Sequence, residues 1–131
     1  MRAFGLDVHR DFCEVAIAED GVVRSAGRVA TRVDSLELFA QSLVASDVVA
    51  LEATSGADKI VSLLQAQGIR VVVANTRKLR SISEAKAKTD RLDARTLARL
   101  LVSALGSRNQ ADFLRLSVFF FPFFELGGGG V

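Results

Sequence analysis

The sequence predicts an α/β fold, a mixed sheet of strand order 3-2-1-4-5 flanked by helices. Three observations predict it. Residues 3–29 alternate as three short strands with tight connections, the pattern of an antiparallel meander. Residues 48–74 hold two nearly continuous apolar runs separated by a helical stretch, the pattern of a parallel βαβ unit. Carboxylates stand within or at the end of these runs, and parallel sheets hold their ligands at the carboxyl ends of strands.

Taken in order, AFGLDV at 3–8 reads as the first strand, HRD as a short connection and FCEVAIA at 12–18 as the second strand. Glu19-Asp20-Gly21 carries the Asp-Gly hairpin signal, and VVRSAGRV at 22–29 follows as the third strand. Asp34-Ser35-Leu36-Glu37 has the spacing of a capping box, with an acid in the usual Ser/Thr place. Leu36, Phe39, Ala40, Leu43 and Val44 then form one apolar helical stripe. VVALEA at 48–53 is the fourth strand, a helix runs over roughly 57–67, and Gly68 stands where a C-terminal cap belongs. IRVVVA at 69–74 is the fifth strand, reached by a right-handed crossover. After Asn75 a polar, basic connection runs through Ser81–Lys88. A last helix is predicted from near Thr89 to about Leu105, its apolar face Leu97, Leu100, Leu101 and Ala104 in register with Asp93. Arg91, Arg95 and Arg99 form a stripe on another side.

The 131 residues suit a single domain, predicted over 1–105. From Gly106 onward no periodicity is readable, six of the nine Phe fall in 113–124, and the chain ends LGGGGV. Residues 106–131 are therefore read as an irregular tail outside the domain.

Hydrophobic residues make up 50% and charged residues 24%, as in an ordinary globular protein. Cys13 is the single cysteine, so no intramolecular disulfide is possible, and a buried strand position suits it better than a nucleophile's role. MRAFGLDVHR has no signal-peptide core, and no stretch approaches the ~18 apolar residues of a membrane span. The cytoplasm is the compartment these features indicate. Residues 1–69 carry 6 basic and 10 acidic side chains, net −4, whereas residues 70–99 carry 9 and 3, net +6. A basic block beside an acidic cluster suits a polyanion held at a metal site.

Four acids form that cluster. Asp7 lies inside an apolar strand, where an unpaired charge is costly. Glu52 closes the fourth strand, and Asp90 and Asp93 open the last helix, three residues apart. Singly, each has a plain structural account: a strand acid bonded to a turn, an edge acid, or acids favoured by a helix dipole. Jointly, the order 3-2-1-4-5 sets Asp7 beside Glu52 on adjacent parallel strands, with Asp90 and Asp93 able to project over both. Four such carboxylates can hold two Mg²⁺ (or Mn²⁺) ions about 3.5–4 Å apart. This arrangement is ribonuclease H-like.

GLDVHRDFCEVAI, then LEATSGADKIVSLLQAQGIRVVVANTRKLRSISEAKAKTDRLDARTLARLL, resembles the N-terminal RuvC-like domain of the DEDD transposases of the IS one-ten insertion-sequence family, relatives of the Piv-type invertases. The resemblance covers about residues 3–105, and its most specific element is KTDRLDA at 88–94, ahead of LEATSG at 51–56. It implies Asp7, Glu52, Asp90 and Asp93 as catalytic, metal-binding acids. It also implies Mg²⁺-dependent cleavage and transfer of DNA strands at the prokaryotic nucleoid. A guide RNA from the element and a homo-oligomer of the full-length protein belong to the same expectation. The family's C-terminal domain supplies a catalytic serine, and Ser103, Ser107 and Ser117 match nothing in that motif. The reading is thus a copy cut short, with a non-catalytic nucleic-acid-binding remnant of a decayed element as the alternative.

Arg77, Lys78, Arg80, Lys86, Lys88 and Arg91 are the expected nucleic-acid-binding residues, through phosphate contacts that position without reading sequence. A merely solvated basic loop is the plainer account. His9 follows Asp7 closely enough to orient a water or phosphate, or is an ordinary turn residue. Thr54, Ser55 and Gly56 could offer backbone N–H groups to a phosphate, or Gly56 could serve only as a helix start. A sugar-kinase or actin-like half also begins with a strand and an Asp. It needs a small Gly/Thr-rich phosphate loop, which His9-Arg10-Asp11 does not provide.

Overall fold

The computed structural model describes residues 2–54, 56–74 and 92–105. It contains β1 (Ala3–Val8), β2 (Phe12–Glu19), β3 (Val22–Ala30), α1 (Val33–Gln41), β4 (Val48–Glu52), α2 (Ala57–Ala66), β5 (Arg70–Ala74) and α3 (Ala94–Leu105). The strands form one sheet in the order β3-β2-β1-β4-β5. β1 pairs antiparallel with β2 and parallel with β4, while β4 pairs parallel with β5. This is the mixed, ribonuclease H-like sheet that the alternation and the two apolar runs predict.

Asp20 and Gly21 join β2 to β3 with φ of 54° and 78°. Two successive positive φ angles make the mirror-image turn whose twist matches that of a hairpin. β3 takes one extra residue between Ser25 and Arg28, opposite the Glu14–Ala16 step of β2, and Gly27 adopts φ 92° there. α2 closes with Gly68 N–H donating to Gln65 O at 2.9 Å and Ile69 N–H to Leu64 O at 3.0 Å. That is the glycine cap expected from the sequence.

Each face of the sheet carries its own core. On one side Phe4, Leu6, Val15, Ile17, Val49, Leu51, Val71 and Val73 pack with Leu36 and Ala40 of α1 and Ile60, Val61 and Leu64 of α2. On the other, small residues (Ala3, Ala16, Ala18, Ala50 and Ala74) face Ala94, Leu97, Ala98, Leu101 and Ala104 of α3. Strand alternation assigns the faces: Phe4 and Leu6 point to α1 and α2, whereas Ala3, Gly5 and Asp7 point to α3.

The two ends of β1 are held differently. At its start, Arg2 donates from Nε and Nη2 to Asp47 Oδ1 and Oδ2 at 3.0 and 2.6 Å, and Asp47 Oδ2 also accepts the Val44 N–H at 2.8 Å. This forked pair clamps the beginnings of β1 and β4, where Val48 N–H donates to Arg2 O at 3.1 Å. Asp47 is only 1% exposed, and its partners account for its burial. The remaining buried acids of the described residues, Asp7 and Glu52, lie at the carboxyl ends of the same two strands.

Three expectations need correction. α1 starts at Val33 with Arg32 as its N-cap, so Asp34 lies in the first turn, where Arg32 Nη2 meets Asp34 Oδ2 at 3.0 Å, and there is no capping box. The helix ends at Gln41, which leaves Val44 outside it and 56% exposed. Leu92 and Asp93 precede α3, so the last helix begins at Ala94 at this point of the chain, not near Thr89. Its start is fixed by Asp93, whose Oδ1 accepts the Thr96 N–H at 2.8 Å. A side chain bonded in this way occupies the capping position ahead of the first helical residue.

Candidate active site

β1 and β4 run parallel with Leu6 opposite Leu51, so Asp7 and Glu52 are the next residues along each strand. Equal register on parallel strands puts their side chains on the same face, the one covered by α3. Asp7 is also the antiparallel partner of Glu14 on β2. Three neighbouring strands therefore bring three carboxylates to one end of the sheet, two of them buried.

α3 reaches this row because the sheet face beneath it carries mostly alanine and, under the start of the helix, a glycine. Gly5 is the key position. A Cβ there would overlap the Ala94 carbonyl oxygen and stand 2.8 Å from the Ala98 nitrogen. Close approach at Gly5 carries Asp93 over β1 two residues further on. Asp7, Glu14, Asp93 and Arg95 then line one cavity of about 180 Å³. Glu52 acts from the side: its Oε1 accepts the Leu92 N–H at 2.8 Å, which ties β4 to the segment entering α3.

His9 completes the group. Its Nε2 lies 3.2 Å from Asp7 Oδ2 and 3.7 Å from Glu14 Oε1. The ring stacks on Phe12 at a centroid distance of 4.7 Å, and the Arg28 guanidinium covers the same Phe12 at 4.2 Å. His9 N–H donates to Phe12 O at 2.8 Å, so the turn itself presents the imidazole to Asp7. Ligating atoms of Asp7, His9 and Glu14 lie within 4.8 Å of one another, and no such trio among the described residues includes Glu52 or Asp93. The two latter acids flank the trio without entering it.

The electrostatics follow from these partners. The Thr96 N–H, outweighing the opposing effect of partial burial, holds the Asp93 carboxyl below its usual range, with Arg99 and Arg95 adding to it. Asp93 is thus an anion with one oxygen committed to α3. Burial first, and then the negative charge of Asp7, push the Cys13 thiol up to about 11. Cys13 is fully buried and inert, in keeping with its reading as a core residue.

Asp7 and Glu14 offer carboxylate oxygens and His9 an imidazole nitrogen within 4.8 Å of one another, with the carboxylates of Glu52 and Asp93 beside them, an oxygen-rich surrounding that a divalent cation can take. The residues present fit such an ion. Of the acids named from sequence, Asp7, Glu52 and Asp93 gather at the junction of β1, β4 and α3, while Asp90 lies outside the described residues. Arg77, Lys78, Arg80, Lys86, Lys88 and Arg91 lie outside them as well, as does Ser55. Gly56 is the N-cap of α2 with φ 87°, the helix-start role considered for it. Glu14 and Gly5 were not singled out from sequence. The signal for Glu14 was its place on the same alternating face as Ala16 and Ala18; for Gly5, a glycine two residues before a strand acid.

The family model of the DEDD transposases of the IS110 type, described as transposase, matches residues 4–114, which includes all of the described strands except Ala3 of β1, and the whole of α3. Comparison with curated proteins finds no match.

Proposed function

Because the chain belongs to the DEDD transposases of the IS110 type, we propose that this domain performs metal-dependent DNA strand cleavage and transfer. The observation that carries the reading is the convergence of Asp7, Glu52 and Asp93 from two strands and a helix start at the carboxyl end of the sheet. Asp7, Glu52, Asp90 and Asp93 would hold Mg²⁺ or Mn²⁺, two ions in all, which supply an activated attacking oxygen and a stabilised leaving oxygen at a phosphodiester. Asp7 supplies the buried anchor, Glu52 fixes the entry of α3, and His9, with Glu14 Oε1 3.7 Å from its Nε2, orients Asp7. Arg95, on the rim of the same cavity, is placed to meet a phosphate that approaches the acids.

Transposases act on DNA, and the +6 balance of residues 70–99 supports phosphate-backbone contacts by Arg77, Lys78, Arg80, Lys86, Lys88 and Arg91. A guide RNA and a homo-oligomeric assembly belong to the same reading, set in the cytoplasm at the nucleoid. No described helix is long and apolar enough to cross a membrane.

One observation favours a second reading, a nucleic-acid-binding module without chemistry. Glu52 and Asp93 each already accept a backbone N–H and so serve the local structure. A nicking assay on supercoiled DNA, run beside filter binding, separates the two. Cleavage that requires Mg²⁺ or Mn²⁺ and disappears in Asp7→Asn supports the first; binding with no metal-dependent nicking supports the second.

A further inference from the structure

On the opposite side of β1 from the acid cavity, at the same end of the sheet, a cleft of about 650 Å³ opens between α1 and α2. Its chemistry is the inverse of the acid site. Arg10, Lys59 and Thr54 stand on its rim, while Leu36, Ile60 and Leu63 form its apolar wall, and no Asp or Glu among the described residues lines it. Residues 1–69 hold only 6 basic against 10 acidic side chains. Two cations with no acid among the described lining residues make this cleft favourable to an anion. Its size suits a small-molecule site of ordinary dimensions. His9 lines this cleft and also hydrogen-bonds Asp7 at 3.2 Å, so the two sites adjoin through one side chain.

From this juxtaposition we infer that the cleft binds one unstacked nucleotide of a single-stranded polynucleotide. Its phosphate meets Arg10 and Lys59, and its base lies against Leu36, Ile60 and Leu63. The inference rests on the nucleic-acid reading above and deepens it: a strand whose phosphate sits at the acids continues past His9 into the cleft. A base face is apolar and a phosphate is anionic, which is the combination the lining offers. A stacked duplex base cannot present its face to that wall, so the occupant is an unpaired residue.

Tetranucleotides with a central 2-aminopurine, in DNA and in RNA, test this, since the probe brightens when its base leaves its neighbours. The expected result is a saturable rise in fluorescence, and an abasic tetranucleotide should compete about ten-fold less well than the intact one. Arg10→Gln with Lys59→Gln should lose binding. Leu63→Phe, which narrows the cleft, should keep phosphate-driven binding and lose the fluorescence rise; if it fails to fold, the abasic competition decides alone. A rise with one sugar only identifies the strand as DNA or RNA. Equal competition by the abasic and intact tetranucleotides, while longer strands still bind, overturns the cleft assignment and leaves the nucleic-acid reading standing. Failure of long strands to bind at all overturns both.

Discussion

Gly5 of β1 lies directly under the Ala94 carbonyl of α3, with no room between them for a methyl group. This approach sets how closely α3 lies on β1, and therefore where Asp93 stands relative to Asp7. Gly5→Ala should cost about 1–3 kcal/mol of stability, the usual penalty of overpacking. If the helix instead slides away, stability is preserved and metal affinity falls. Chemical denaturation together with a metal titration distinguishes these outcomes; a variant unchanged in both would show that the close approach does not position the site.

The Arg2–Asp47 clamp predicts how stability depends on pH. Burial works to raise the Asp47 carboxyl, but the Arg2 hydrogen bonds and the Val44 N–H prevail and hold it below its ordinary value. A depressed folded pKa means that this contribution is fully present above the unfolded carboxylate value, about 4, and is lost as pH falls through the folded value. Asp47→Asn should therefore cost about 1.5–3 kcal/mol at neutral pH, and the difference from the parent should shrink as acid protonates Asp47. Urea midpoints measured from pH 7 downward check this; a gap that does not narrow in acid would argue against the clamp.

His9 is expected to position Asp7 rather than to hold the fold. His9→Ala should lower metal affinity by roughly 10–100-fold, as loss of a partner that orients a ligand usually does. His9→Gln, which keeps a donor, should recover part of it. Melting temperatures without metal should differ little between the two. Equal metal affinity in His9→Ala and the parent would assign His9 to the turn alone.

Charge reversal at Arg77, Lys78 and Arg80 should weaken binding to all nucleic-acid sequences alike and flatten the salt dependence, because each lost phosphate contact releases fewer counterions. Asp93→Ala should do the reverse for binding while removing any metal-dependent cleavage. A filter-binding salt titration reads the first half; basic variants that bind normally would make the block a solvated loop.

The strand order was legible because it depends on local pattern: alternation in β2, continuous apolar runs in β4 and β5, and an Asp-Gly turn between β2 and β3. Asp7 and Glu52 were legible for the same reason, as charges in segments that must be buried. Asp47 was not, because its partner Arg2 is 45 residues away and an acid before a strand looks like an ordinary turn residue. Glu14 reads as an outward polar residue until the hairpin pairs it with Asp7. Asp93 shows the limit of composition: a cap and a site acid have the same residue type at the same helix start, and only the Thr96 N–H bond reveals that it is a cap. For that reason the sequence alone puts the start of α3 too early, near Thr89 instead of Ala94.

The central claim is that these carboxylates form a divalent-metal site, and calorimetric titration of Mn²⁺ and Mg²⁺ into the parent chain and Asp7→Asn tests it most directly. The account predicts saturable binding to the parent and at least about ten-fold weaker binding to Asp7→Asn, whose fold should be equally or more stable without metal because one buried charge is gone. Identical isotherms for the two proteins, or no binding to the parent at millimolar metal, would contradict it.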